Sequence, residues 1–313
     1  MKLAGWTADF PGLICEPVGE DSVHATISIL SDIRCELGEG PTYDASTDTL
    51  WWFDITGRRL MEHPFPGGPT TIHELPLMAS ALAFTASGEQ VLATERGVQL
   101  RDATSGRLTM LAPIEADNDA TRSNDARVHQ SGAFWIGTMA KSGDADIGAI
   151  YHFRAGTVRT LFTGVTIPNS ICFSPQGDVA YYADTRRNTL FRVGCDPDSG
   201  LPTGEPTVLL DHRGKPGSLD GSVCDADGVI WNARWGAGTL DAYAPDGRQL
   251  HSIAIPARQT SCPAFVGKAA DRVAITSALQ GMDADARAAD PDGGKTFLVE
   301  LPVRGRPEPR VRI

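Results

Sequence analysis

One interval of eight residues recurs along this chain and constrains its fold more than any other feature. Asp220 precedes Gly228 by eight residues, and Gly228 closes a polar turn before the strand-like residues 229–231. This arrangement is typical of two short strands joined by a turn. The same interval recurs along the chain, and its copies begin at Glu39, Ser80, Asn124, Asn169, Asp220 and, in a weaker copy, Cys262 or Pro263.

Six copies of one strand–turn–strand unit predict an all-β fold, the six-bladed β-propeller. The copies lie about 40 to 50 residues apart, a period typical of propeller blades. Corresponding positions of the blades face a common axis, so we expect the six leading residues to lie together at one mouth of the channel. Glu39, Asn169 and Asp220 would then supply oxygen donors, two of them charged, which suit a hard divalent cation.

The two ends of the chain complete the predicted ring. Residues 23–30 alternate in polarity and are rich in β-branched side chains, which indicates a strand. We expect this strand to pair with a C-terminal strand at residues 296–301 in the last blade and so to close the ring. Residues 1–22 are predicted to be an N-terminal extension, followed by a propeller of residues 23–313.

The third copy offers side chains suited to an organic ligand. In an extended segment, Arg122 and Asn124 lie two residues apart and project from the same face. A guanidinium group beside an amide is suited to a polyhydroxylated molecule or a carboxylate. The alternative interpretation of Arg122 is a solvated surface arginine.

Charge and hydropathy exclude several classes of partner. The net charge is −11 and the basic residues are scattered, which argues against nucleic acid or an anionic membrane as a partner. No segment reaches the roughly 18 apolar residues of a membrane span, and the first residues lack the apolar run of a signal peptide. We therefore expect a soluble, cytoplasmic protein, whose oligomeric state the sequence does not predict.

The remaining sequence features concern the cysteines, an acidic loop and the common catalytic motifs. The cysteines are widely spaced and predict buried, reduced thiols, with structural zinc or disulfides as alternatives. Residues 283–294 are acidic but lack the spacing of a calcium hand, so we expect a solvated insertion. Serine-hydrolase, zinc-protease, P-loop and Rossmann motifs are absent. For a channel mouth lined by oxygen donors, the remaining possibilities are ligand binding and hydrolysis assisted by a Lewis-acidic cation.

Six short motifs, spread over residues 36–278, together form a specific pattern. They are Gly38-Glu39-Gly40-Pro41, Arg122-Ser123-Asn124-Asp125, Phe134-Trp135-Ile136-Gly137-Thr138-Met139, Asn169-Ser170 with Phe173-Ser174-Pro175, Leu219-Asp220-Gly221 and Thr260-Ser261-Cys262. This pattern resembles the SMP-30/gluconolactonase/regucalcin family of six-bladed propellers.

The resemblance implies a function and a role for each site residue. Glu39, Asn169 and Asp220 would bind one divalent metal ion, calcium first, with zinc, manganese, magnesium or iron as alternatives. Arg122 and Asn124 would hold a small-molecule sugar lactone, and Asp220 would also serve as general base. The implied activity is metal-dependent hydrolysis of an aldonolactone to the aldonic acid. A calcium-binding protein without turnover and a metal-dependent esterase or phosphotriesterase remain alternatives.

Three departures from the family's pattern fall on the substrate side. Ala126-Arg127 replaces the usual glycine and lysine, and His129 replaces an acidic residue. Lys141-Ser142 occupies a segment in which some relatives have a glutamate that contacts substrate. The residues of the implied metal site are all present.

Overall fold

The computed structural model describes residues 25–313, which form six four-stranded antiparallel sheets. The predicted extension, residues 1–22, and the first residues of the predicted first strand lie outside the described residues. The sheets are the blades of a six-bladed β-propeller, so the predicted fold class is confirmed.

The strands follow one another from blade to blade in chain order. Strand β1 (Thr26–Ser31) comes first. Blades one to three contain β2 (Gly38–Asp44), β3 (Thr49–Asp54), β4 (Arg59–Pro64), β5 (Thr71–Glu74), β6 (Ala79–Phe84), β7 (Gln90–Thr94), β8 (Gly97–Arg101), β9 (Leu108–Pro113), β10 (Thr121–Val128), β11 (Phe134–Ala140), β12 (Gly148–Arg154) and β13 (Thr157–Val165).

Blades four to six continue the same order. They contain β14 (Pro168–Phe173), β15 (Val179–Asp184), β16 (Thr189–Gly194), β17 (Thr207–Asp211), β18 (Ser218–Cys224), β19 (Ile230–Trp235), β20 (Thr239–Tyr243), β21 (Gln249–Ala254), β22 (Thr260–Val266), β23 (Arg272–Ser277) and β24 (Thr296–Glu300), with the short helix α1 (Ala284–Ala289) between β23 and β24.

The first strand of each blade lines the central channel. Strands β2, β6, β10, β14, β18 and β22 are buried along nearly their whole length. Each of them contacts the first strands of both neighbouring blades, so that the six form a closed ring. Residues near the start of these strands therefore share one mouth of the channel.

The last blade is completed by the first described strand, as predicted. Strand β1 pairs antiparallel with β24, with Thr26 opposite Glu300 and Ile29 opposite Phe297. The fourth strand of blade six thus comes from the opposite end of the propeller sequence, which closes the ring by main-chain hydrogen bonds.

The hydrophobic core is divided among the six interfaces between neighbouring blades, with one cluster of buried side chains at each. Between blades three and four, Trp135 is fully buried and meets the ring of Phe173 edge-on, with 5.3 Å between centroids. Its Nε1 donates to the carbonyl oxygen of Gly200 at 2.8 Å. Large aromatic side chains of this kind fill the wedge between two twisted sheets.

The last thirteen residues, 301–313, form an irregular segment that we name the C-terminal strap. It crosses the base of the propeller, at the far ends of the first strands. Its contacts reach all six blades, through Arg310 to Asp44, Val311 to Phe84, Glu308 to Arg127, Arg306 to Phe173 and Cys224, and Gly305 to Ala270. The sequence showed no pattern that predicted this segment.

The strap closes the channel at the base with a buried ion pair. Arg127, on β10, points down the channel and meets Glu308 of the strap at 2.5 Å. Its other terminal nitrogen donates to the carbonyl oxygen of Ser222 at 3.3 Å. One end of the channel is therefore filled by protein, and the opposite mouth is the open one.

Two further sequence predictions can be compared with the structure. The five cysteines in the described range, Cys35, Cys172, Cys195, Cys224 and Cys262, are buried and form no disulfide with one another, as predicted. The acidic loop, residues 283–294, is exposed or half-buried at nine of its twelve residues and contains α1, with Asp283 as its N-cap. The prediction of a solvated loop is wrong for Gly293 and Gly294, which are buried. It is also wrong for Asp290, which is buried and accepts a hydrogen bond from the amide of Arg258 at 2.9 Å.

Within residues 25–313, no helix has the length and hydropathy needed to cross a membrane.

Candidate active site

A cavity of about 220 Å³ lies at the open mouth of the channel. It is lined by all five residues that the sequence singled out: Glu39, Arg122, Asn124, Asn169 and Asp220. They come from blades one, three, four and five, and the exposed fraction of each is 8% or less. The structure therefore brings these residues together, and the roles given to them above stay predictions.

A β-bulge in each first strand explains how these side chains come to face the mouth. In blade one Glu39 lies opposite Phe53 and Thr42 opposite Trp51, so the inner strand accommodates one extra residue. A bulge of this kind bends the strand and redirects its side chains. Equivalent irregularities occur in the other blades at Ala79/Ala81, Ser123/Ala126, Asn169/Cys172, Leu219/Ser222 and Thr260/Pro263.

Gly40 makes the bulge beside Glu39 possible. Its φ of 54° lies in the left-handed region, which favours glycine. A Cβ at this position would also lie 2.0 Å from the carbonyl oxygen of Ser80 in the next blade. The glycine thus allows the backbone of blade one to approach blade two closely at the point where the carboxylate enters the cavity.

Buried aspartates fix the segments that lead into two of the site strands. Asp54 accepts hydrogen bonds from the amides of Glu36 and Leu37, both at 3.0 Å, just before Glu39. Asp184 accepts from the amides of Thr166 and Ile167 in the same way, just before Asn169. Each aspartate closes the end of a second strand, so it positions the start of the neighbouring first strand.

Glu39 and Asp220 are carboxylates in an environment that disfavours their charge. Burial raises the pKa of Glu39 to about 8, and the nearby charge of Asp125 acts in the same direction. Burial also raises the pKa of Asp220 well above its usual range, and Glu39 adds to that shift. Among the described residues, no ion pair includes either carboxylate.

This donor set has the chemistry of a hard-cation site. Two buried carboxylates that lack an ion-pair partner are costly unless a positive charge lies between them. The carboxamide oxygen of Asn169 adds a neutral oxygen donor, and oxygen donors of this kind suit calcium and similar ions. Within residues 25–313, no three His, Cys, Asp or Glu side chains cluster as an alternative metal site.

Arg122 is a buried cation in the wall of the cavity, so the alternative of a solvated surface arginine is wrong. Its Nη1 donates to the carbonyl oxygen of Ser123 at 2.8 Å and to Oδ1 of Asn124 at 2.7 Å. Burial lowers its pKa to about 10, while the charges of Glu39 and Asp220 act in the opposite direction. The guanidinium therefore remains charged at neutral pH and keeps donors for a ligand.

Asn124 links Arg122 to the candidate metal ligand Asn169. Its Nδ2 donates to the carbonyl oxygen of Pro168 at 2.9 Å and to Oδ1 of Asn169 at 3.0 Å. Nδ2 of Asn169 in turn donates to Oγ1 of Thr185 at 2.8 Å. The side chains assigned to substrate and to metal thus belong to one hydrogen-bonded row.

Asp125 is a buried carboxylate that the sequence analysis did not assign to a role. It accepts a hydrogen bond from the amide of Ile171 at 2.7 Å. Burial raises its pKa, and the charge of Arg127 lowers it. Asp125 adds negative charge beneath Glu39 and Asp220, and its position directly after Asn124 was the only signal in the sequence.

Ser80 and Cys262, the leading residues of blades two and six, do not line the cavity with the other four leading residues. Ser80 is buried, and its Oγ donates to Oγ of Ser123 at 2.8 Å. Cys262 is fully buried, and its Sγ lies 3.8 Å from a terminal nitrogen of Arg127. Ser80 thus contacts the neighbouring blade three, and Cys262 contacts Arg127 across the channel.

The rest of the cavity wall is largely apolar and was not predicted. It is formed by Leu37, Met139, Ile167 and Trp235, together with the half-buried Thr185. Gln280, in the loop after β23, adds a polar group at the rim. These residues belong to no periodic pattern, so the sequence alone gave little reason to select them.

The residues that depart from the family's pattern are not among those that line the cavity. Ala126 packs in the core between blades two and three, and Arg127 pairs with the C-terminal strap. His129 is buried against Ser131 and Gly177. Lys141 forms an ion pair with Glu95 at 2.5 Å.

Comparison with known proteins gives one consistent result. Residues 37–279 match the model of the SMP-30/Gluconolactonase/LRE-like region. The chain is 51% identical to a Rhizobium meliloti protein provisionally named a sugar lactone lactonase, over 91% of this chain and 96% of the relative. It is 33% identical to the L-arabinolactonase of Azospirillum brasilense, over 87% of this chain and 91% of the relative.

A solved structure shares the whole architecture. The crystal structure of a calcium-binding protein, regucalcin, from Agrobacterium tumefaciens superposes with a TM-score of 0.90 at 47% identity. The superposition covers 91% of this chain and 97% of that protein. The fold, the matched region and these relatives together show that the chain belongs to the SMP-30/gluconolactonase/LRE-like family.

Proposed function

We propose that this chain is a lactonase that opens a sugar lactone at the mouth cavity with the help of one divalent cation. The observation that carries the proposal is the meeting of Glu39, Asn169 and Asp220 with the buried cation Arg122 around one cavity. Relatives named as sugar lactone lactonase and L-arabinolactonase support the reaction class.

Glu39, Asn169 and Asp220 would hold the cation, because their oxygens are the donors in the cavity that suit a hard ion. Calcium is the first candidate, since the Agrobacterium tumefaciens relative is described as calcium-binding. When bound, the cation supplies Lewis acidity that stabilises negative charge on the lactone carbonyl oxygen as it develops.

Arg122 and Asn124 would orient the substrate. The guanidinium offers fixed donors to hydroxyl or carbonyl oxygens. Because it is buried and already hydrogen-bonded to Asn124, it holds one geometry without the entropy cost of ordering a free side chain. The apolar side chains of Leu37, Ile167 and Trp235 would exclude water from the carbon face of the sugar ring.

Asp220 would act as the general base. It would accept a proton from the attacking water while the water oxygen bonds to the carbonyl carbon. The bond between that carbon and the ring oxygen then breaks, and the proton passes to the ring oxygen, so that the open-chain hydroxy acid is the product. Burial raises the pKa of Asp220, and a cation bound beside it would hold the carboxylate ionised, as this role requires.

The test is a rate measurement on chelator-treated protein. Aldonolactones of five- and six-carbon sugars are assayed with calcium, zinc, manganese or magnesium added back. We expect hydrolysis that depends on the added ion and that is abolished in Glu39→Gln and Asp220→Asn. The control is Asp246→Asn, at an exposed turn of blade five, which should retain native activity. Metal binding without turnover of any lactone would favour a calcium-binding protein instead.

The apolar wall supports a second candidate, a metal-dependent esterase or phosphotriesterase. Leu37, Met139, Ile167 and Trp235 would accept a less polar substrate than a sugar. Faster turnover of aryl esters or phosphotriesters than of every aldonolactone would favour this alternative over the lactonase.

We also propose that residues 23–313 form a single domain after an extension of residues 1–22, in a cytoplasmic protein. The pairing of β1 with β24 supports the boundary. The five cysteines within residues 25–313 are buried and form no disulfide with one another, which suits a reducing compartment. Brief proteolysis should shorten the chain at its N-terminus and leave an active core. Cleavage inside the blades before loss of the extension would contradict the boundary.

A further inference from the structure

We propose that Thr185 is a positioning residue that orients the carboxamide of Asn169, so that the oxygen and not the nitrogen faces the candidate cation position. The inference rests on the proposed function, because it concerns how one candidate metal ligand is presented. It assigns a role to a residue that none of the sequence motifs includes.

The hydroxyl group of Thr185 has contacts that determine its own direction. Oγ1 lies 2.8 Å from the carbonyl oxygen of Leu219 and 2.8 Å from the side-chain amide of Asn169. A backbone carbonyl only accepts hydrogen bonds, and a hydroxyl group has one proton. That proton is therefore donated to Leu219, and Oγ1 is left as an acceptor. The atom of Asn169 that faces Thr185 must then be the donor, Nδ2.

The other side of Asn169 gives the same orientation independently. The carbonyl oxygen of Pro168 requires a donor from Asn124, and Arg122 requires an acceptor from it. Asn124 is thereby oriented, with its second amide proton directed at Asn169 over 3.0 Å. The atom of Asn169 that receives this proton must be Oδ1.

The direction of donation along this row of hydrogen bonds is therefore fixed by the groups at its two ends. Arg122 can only donate at one end, and the carbonyl oxygen of Leu219 can only accept at the other. Asn169 is 4% exposed, so its amide meets water only through the cavity. A carboxamide with the opposite orientation would present a nitrogen with two protons to the cation, which repels it.

Thr185 also connects the two blades that carry neighbouring candidate ligands. It follows β15 of blade four, whereas Leu219 directly precedes Asp220 in blade five. One hydroxyl group therefore contacts the side chain of Asn169 and the backbone beside Asp220. Groups that hold metal ligands in this indirect way affect metal affinity about 10- to 100-fold.

Two substitutions separate orientation from packing. Thr185→Val keeps the shape of the side chain but removes the hydroxyl group, and Thr185→Ser keeps the hydroxyl group. The measurement is calcium affinity of chelator-treated protein by calorimetry, together with unfolding by urea in the absence of metal. We expect Thr185→Val to weaken calcium binding about tenfold or more, and Thr185→Ser to stay close to the native protein.

The control for packing is Thr94→Val in blade two. Thr94 is buried and donates to the carbonyl oxygen of Gly97 at 2.8 Å, away from the cavity. We expect it to lower the free energy of unfolding while calcium affinity stays native.

A double-mutant cycle provides the sharpest readout. In an Asn169→Asp background the two oxygens of the carboxylate are equivalent, so no orientation remains to be fixed. Thr185→Val should then weaken calcium binding much less than it does with Asn169 present. Equal losses in both backgrounds, or native affinity in Thr185→Val, would overturn the inference. Failure of the native protein to bind any of the four ions would instead overturn the proposed function and this inference with it.

Discussion

Arg122 and Asn124 are joined inside the cavity by a hydrogen bond of 2.7 Å from the guanidinium to the amide oxygen. The two residues lie two positions apart on β10, and the bulge between Ser123 and Ala126 interrupts the regular alternation there. Arg122 therefore lines the cavity and also donates the first hydrogen bond of the row that runs through Asn124 and Asn169 to Thr185.

Replacement of this arginine by lysine should separate its geometry from its charge. Arg122→Lys keeps the charge but loses the planar set of donors, so one ammonium nitrogen must serve Ser123, Asn124 and the substrate from a single position. We expect KM for the lactone to rise about tenfold, with a smaller change in kcat, because a charged hydrogen bond contributes about 1.5 to 3 kcal/mol. Steady-state kinetics at saturating calcium measure this. An unchanged KM would exclude Arg122 from substrate binding.

Loss of a site carboxylate should stabilise the metal-free protein. Glu39 and Asp220 are buried together without an ion-pair partner in the described chain, which costs stability when no cation is present. We expect Glu39→Gln to raise the free energy of unfolding in chelator by about 1 kcal/mol or more, and calcium to stabilise it no further. Urea denaturation with chelator or calcium gives both values. A variant less stable than the native protein in chelator would contradict this account of the site.

Acid should destabilise the propeller through His212. Nδ1 of this buried ring faces a terminal nitrogen of Arg234 at 2.5 Å, so the ring accepts and is neutral. Burial, followed by the charge of Arg234, lowers its pKa from 6.5 to about 4. The stability that depends on the neutral ring is complete above pH 6.5 and is lost as the pH falls towards 4.

The variant His212→Gln isolates this contribution. Its free energy of unfolding should depend less on pH below 6.5 than that of the native protein, even if it is lower throughout. Urea titrations on both sides of this pH supply the comparison. The same pH dependence in both proteins would assign the acid sensitivity to other groups.

The C-terminal strap should contribute to stability through one ion pair. Glu308→Gln leaves Arg127 buried without its counter-charge, and the loss of one partner of a buried pair costs about 3 kcal/mol. The measurement is the free energy of unfolding, with the exposed Glu205→Gln as control. We expect lactone hydrolysis to persist, since the pair closes the base of the channel. A stability equal to that of the control would show that the strap contributes little through this contact.

The repeated interval in the sequence was sufficient to predict the fold and the meeting of the site residues. A turn glycine such as Gly228 requires a special backbone conformation, so its position marks the strand pair in four of the six blades, at Gly88, Gly132, Gly177 and Gly228. Asn169 and Asp220 stand eight residues before such a glycine, and Glu39 stands eight residues before Thr47 in the corresponding turn. The symmetry of a propeller then brings them to one mouth.

Contacts that do not repeat could not be predicted in this way. The partner of Arg127 is Glu308, in a strap without periodicity, and the orientation of Asn169 depends on Thr185 and Leu219 from two different blades. Each of these contacts joins segments that are far apart in the sequence. Asp290 was misjudged for the same reason, because its hydrogen bond with the amide of Arg258 is invisible in the acidic composition of its loop.

A crystal structure of the protein soaked in calcium tests the central claim most directly. The account predicts one ion at the mouth cavity, about 2.3 to 2.6 Å from oxygens of Glu39, Asn169 and Asp220, with Oδ1 as the atom of Asn169. An ion bound elsewhere, or a cavity that stays without an ion at saturating calcium, manganese and zinc, would contradict it.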